Sequence, residues 1–101
     1  MIKRSKEEIE IDFYRALKEA QEIEEMAAEL GTLANSGMKE SLALLNRNFK
    51  GPSGEKAASI GEDVVMNLLM AADDMLSVAK NIRHTSKIIY NAEKIGLYAT
   101  N

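Results

Sequence analysis

Few residues in this chain are equipped for chemistry, and their spacing does not bring them together. There is one histidine, His84, and no cysteine. A nucleophile with its base, or a zinc ion with its ligands, needs several such groups to converge. Neither a catalytic triad nor a zinc site is therefore expected. His84 follows Arg83, with Lys80 and Lys87 close by, which reads as a solvated or interhelical basic block. The N-terminal half holds an acidic block, Glu19, Glu22, Glu24, Glu25 and Glu29, but no Glu-x-x-His pair of the kind that binds two irons. Gly51-Pro52-Ser53-Gly54 is too short to cradle a phosphate and lacks the Lys-Ser/Thr that follows such a loop. The expectation is a non-enzyme with no cofactor and no metal, whose function is what it binds.

The elements that carry these residues are helical. At 101 residues the chain is one small domain at most, and a chain this size is often marginal alone. Net charge is −3 with both signs mixed, which argues against nucleic acid as partner. No apolar run approaches the roughly 20 residues of a membrane span, so no membrane insertion is expected. Lys3, Arg4 and Lys6 are not followed by an apolar segment, so a Sec signal peptide is not expected. Tryptophan is absent and aromatics are 5% of the chain, so the core must be aliphatic, while six methionines suggest an adaptable apolar surface.

A first helix is expected over about 6–48. Ser5 and Glu8 make a capping box at its start. Ile9, Phe13, Ala16, Ala20, Ile23, Ala27, Leu30 and Ala34 then alternate steps of four and three, the spacing of a coiled-coil seam. Half of that seam is alanine, which lets a neighbouring backbone approach closely. Asn35-Ser36-Gly37 are poor helix formers. Beyond them the apolar set resumes at Met38, Leu42, Leu45 and Phe49. The steps from Ala34 to Met38 to Leu42 are four and four, so the seam drifts by one position. This reads as a continuous helix with a bend or local loosening.

A turn is expected over about 49–53. Gly51 suits the positive φ of a helix end, and Pro52, the only proline, suits the first turn of a new helix. The second helix, about 54–97, shows two seams. One runs Ala57, Gly61, Val64, Leu68, Ala71, Met75, Val78, Ile82, Thr85, Ile89, Ala92, and the other Ala58, Val65, Leu69, Ala72, Leu76, Ala79. One neighbouring arm cannot cover both. Val65, Met66, Leu69, Met70, Ala72 and Leu76 are accordingly expected to form a partner-binding face. Folding about Gly51 would set the acidic block beside the basic one. The fold class is all-α: an antiparallel two-helix hairpin, coiled-coil-like, that completes a four-helix or larger bundle with a partner.

Phe49-Lys50-Gly51 between two long helices resembles the aromatic-x-Gly turn of the Trp-x-Gly (WXG-like) family of small type VII secretion proteins, with Phe49 in place of the tryptophan. That family also carries Tyr-x-x-x-Asp near the end of its second helix. Here Tyr90 matches, the acid is Glu93 at the third position, and Lys94 stands at the fourth. The resemblance spans nearly the whole chain by architecture and is most like the small helical partners of LXG-type toxins in Gram-positive bacteria. It implies export through the type VII system from the cytoplasm. The implied partners are the helical N-terminal domain of such a toxin, a second small helical protein and the secretion ATPase. Phe49 with Gly51, and Tyr90 with Glu93 and Lys94, would then be features that the apparatus reads. Beside this stand a self-assembling structural coiled coil and a cytoplasmic chaperone that is not itself exported. Homodimerisation of the isolated chain is left open.

Overall fold

The computed structural model of the protein describes residues 4–48 and 50–99, with side chains described as far as residue 96. Its regular structure there is all helical: α1 (Lys6–Thr32), a π-helical segment (Leu33–Met38), α2 (Lys39–Asn48) and α3 (Pro52–Ala99). The chain divides into two compact units. The turn unit is Glu25–Met75, and the end unit joins Met1–Glu24 to Leu76–Asn101.

In the turn unit the chain reverses at Gly51, whose φ of 111° is the only positive φ among the described residues. An L side chain is strained there and glycine is not. The Gly51 carbonyl then accepts from the Glu55 amide at 3.0 Å, so α3 starts at Pro52, two residues earlier than the spacing suggested. A proline at the first helical position gives up no hydrogen bond. Lys50 is exposed, and Phe49 lies outside the described residues.

Against α3 in this unit, the first arm buries Ala27 and Ala34 and half-buries Leu30, Met38, Leu42 and Leu45. The π-helical segment falls where the apolar spacing slips. Strict alternation beyond Ala34 would put Gly37, Ser41 and Leu44 in the seam. One residue too many separates Ala34 from Met38, and the wider π turn takes it up, so Met38, Leu42 and Leu45 stay on the inner face. The expected loosening at Asn35-Ser36-Gly37 is thus a defined π turn.

The α3 seam uses neither of the two expected apolar rows. It alternates between them. In the turn unit its inward residues are Gly54, Ala58, Gly61, Val65, Leu68, Ala72 and Met75, in steps of four and three. Ala58, Val65 and Ala72 are the most buried. Gly61 is a point of close approach, where the side chain of Leu42 occupies the space a Cβ would need.

The end unit is an antiparallel helix pair. Its order is fixed by contacts of Arg4 with Glu93, Phe13 with Tyr90 and Glu24 with Arg83. Ser5 Oγ accepts from the Glu8 amide at 3.2 Å and starts α1. Ile9 and Ala20 of α1 and Ala79 of α3 are buried, and Ile82, Ser86 and Tyr90 of α3 are half-buried. Thr85, Ile89 and Ala92, expected in the seam, face out. The step from Ser86 to Tyr90 is four where three would have reached Ile89, and the Phe13–Tyr90 stack is what takes that place.

Among the described residues six of the eight buried apolar ones are alanines, and no large side chain is fully buried. Each alanine removes little apolar area from water. The seam therefore holds the helices close without supplying a deep core.

Candidate partner-binding face

Taking alternate members of the two expected rows into one seam leaves Ala57, Val64, Leu76 and Val78 exposed, and with them Met66 and Met70, which belong to neither row. In the turn unit Met66 is 63% exposed and Met70 60%. They are four residues apart, hence neighbours on one side of α3. Ile60 and Val64 are exposed as well, and Leu69 is half-buried between seam and surface. Val65 and Ala72, expected on the outer face, lie in the seam instead, each 6% exposed. The reason is phase: both fall at the heptad position occupied by Ala58 and Ala79. Leu76, of the end unit, is exposed, and so are Val78, Ile88, Ile89 and Ile95 of the same unit.

Sequence reading did not single out Ile60, Ile88 or Ile95. A single-phase heptad from Gly54 to Ser86 would have placed Ile60 outside, next to Val64. Reading two parallel rows hid that phase.

Met66 and Met70 sit among carboxylates. Asp63, Met66, Asn67, Met70, Asp73 and Asp74 follow one another at spacings of three and four or fall side by side, and all six are exposed. From Ala57 to Met75 the helix carries Glu62, Asp63, Asp73 and Asp74 and no lysine or arginine. The outer side of α3 in the turn unit is thus apolar at its centre and acidic at both ends.

The Tyr90 region belongs to the end unit. The Tyr90 ring stacks on Phe13 with centroids 4.3 Å apart and planes 20° apart, and the Lys94 ammonium lies 4.8 Å over the same ring. Stacking and cation–π attraction both hold the tyrosine in place. Glu93 Oε1 accepts from Arg4 Nη1 at 3.1 Å, while Oε2 is turned inward without a hydrogen-bond partner. Arg4 also pairs with Asp12 and donates to the Glu8 carbonyl at 3.2 Å. Sequence reading gave Arg4 no such part. A cleft of about 230 Å³ lies among Arg4, Asp12, Phe13, Ser86, Tyr90 and Glu93.

In the end unit the opposed charge blocks meet at Glu24 and Arg83. Arg83 donates from Nη2 to Glu24 Oε1 at 2.5 Å and from Nε to Oε2 at 3.2 Å. This two-pronged hydrogen bond, ahead of the charge attraction, holds the Glu24 carboxyl below its ordinary range and raises Arg83. His84 is exposed. Among the described residues no three His, Cys, Asp or Glu side chains converge to hold a metal ion, and no helix is long and apolar enough to cross a membrane. No protein-family model, curated protein or solved structure matches the chain.

Proposed function

We propose that this protein is a non-enzymatic, WXG-like type VII secretion partner. It binds the helical N-terminal domain of an LXG-type toxin and helps direct it to the secretion apparatus. The observation that carries the reading is the exposure of Met66 and Met70 beside a seam that is already filled by Val65, Leu68 and Ala72. Apolar side chains so placed are unfavourably exposed to water until another helix covers them. Fully covering one methionine side chain is worth roughly 1.5–3 kcal/mol. The Phe49-Lys50-Gly51 turn and the Tyr90-x-x-Glu93 region give the partner its proposed identity. The bundle completed by partner helices, a second small helical protein and contact with the secretion ATPase belong to the same proposal.

The experiment is co-expression with the N-terminal domain of an LXG-type toxin, followed by size-exclusion chromatography. Co-elution as one complex is expected, and Met66→Asp with Met70→Asp should abolish it while circular dichroism stays helical. Separate elution of the two proteins would contradict the proposal. A blot of the culture supernatant, with and without the secretion ATPase, separates exported partner from retained chaperone. The exported reading expects the protein outside only when the ATPase is present.

A further inference from the structure

We infer that the occupant of the Met66–Met70 face is a basic amphipathic helix: apolar along one stripe and flanked on that stripe by lysine or arginine. The inference rests on the reading of the protein as a docking partner and deepens it by naming the chemistry of what docks.

Three observations in the turn unit carry it. The first is the apolar centre, two exposed methionines one helical turn apart. Methionine is unbranched and polarizable, and it moulds itself to differently shaped apolar surfaces. The second is the acidic frame. Asp63 precedes Met66 by three residues, Asp73 follows Met70 by three, and Asp74 follows it by four. On a helix these spacings place the carboxylates at both ends of the methionine pair. The third is the lack of any basic residue on α3 from Ala57 to Met75, so the helix itself does not balance the charge. A docked helix with acidic flanks would meet like charges, which is destabilising, whereas lysine or arginine flanks would be drawn in and oriented. An anionic lipid surface is disfavoured by the same sign.

The test uses the full chain and two synthetic helical peptides of equal apolar content, both longer than the ~15 residues below which isolated helices are marginal. One has lysine flanks and the other glutamate flanks. Binding is read by fluorescence anisotropy at low and at high salt. The lysine-flanked peptide should bind and weaken as salt rises. The triple variant Asp63→Asn, Asp73→Asn, Asp74→Asn should bind it about tenfold more weakly, the sum of three modest charge pairs. Met66→Ala with Met70→Ala should remove binding at either salt. All five positions are exposed, so circular dichroism should report an unchanged fold.

Equal binding of the glutamate-flanked peptide would overturn the inference, as would binding of neither peptide. A second copy of the chain covering Met66 and Met70 in the isolated protein would also overturn it, because the face would then be filled. The two readings fail separately. If the toxin domain co-elutes but the aspartate variant holds it equally well, the basic flank is wrong and the secretion role stands. If the lysine peptide binds and the toxin domain does not co-elute, the basic flank stands and the toxin is the wrong partner.

Discussion

Arg83 grips Glu24 with two nitrogens, and this pair is where the opposed charge blocks of the sequence take a defined geometry. Its consequence is a titration. The arginine holds the Glu24 carboxyl below the ordinary glutamate value of 4.5. A carboxyl lowered on folding adds stability that is fully present above its unfolded value. That stability is lost as pH falls through the folded value. Nuclear magnetic resonance titration should therefore place Glu24 below the ordinary glutamate value, and Arg83→Gln should return it to the ordinary range. An unshifted Glu24 in the parent chain would show that the pair does not persist in solution. The partners were not legible one by one in the sequence. Five glutamates and three basic residues offered many pairings, and the rotation of α1 against α3 in the end unit is what sets Glu24 against Arg83.

At the scale of elements, two glycines predict opposite results for one substitution. A Cβ at Gly31 would meet nothing within 4 Å. Gly31→Ala should thus stabilise the protein by roughly 0.5–1 kcal/mol, because alanine loses less backbone entropy in a helix. A Cβ at Gly61 would collide with Leu42 Cδ2 and crowd Cγ at 3.2 Å. Gly61→Ala gains the same propensity but displaces Leu42, and overpacking of this kind outweighs the gain, for a net loss of about 1 kcal/mol. Urea denaturation of the two variants reads the difference in sign.

The π-helical segment makes a sharper prediction. If Leu33–Met38 exists to absorb one surplus residue, deleting Ser36 restores steps of four, three, four and three from Leu30 to Leu44 in the shortened numbering. The segment should then become α-helical with thermal stability equal to the parent or higher. Deleting Glu22 instead rotates later seam residues by about 100° and should cost roughly 2 kcal/mol or more. Equal losses from both deletions would refute this account of the π turn. The first arm was readable in advance because every seam residue there from Ile9 to Leu45 sits at an apolar position, and even the slip at Met38 was visible. The second arm was harder. Its apolar residues outnumber the places in one seam, so spacing alone allows two rows and points Val65 and Ala72 outward. Closeness of approach decides between the rows: only glycine and alanine fit where the helices come nearest, so Gly54, Ala58, Gly61, Ala72 and Ala79 turn inward and carry Val65 with them.

For the molecule as a whole, the seam leaves apolar side chains of α3 at the surface, and the proposed function has a partner cover them. Oxidative footprinting of methionines, read by mass spectrometry, tests this directly, since Met66 and Met70 are exposed and Met75 is half-buried in the same helix. In the isolated chain Met66 and Met70 should oxidise faster than Met75. On addition of the toxin N-terminal domain their rates should fall several-fold while the lysine and glutamate control peptides differ as argued above. Oxidation of Met66 and Met70 at the same rate with and without that domain would contradict the account.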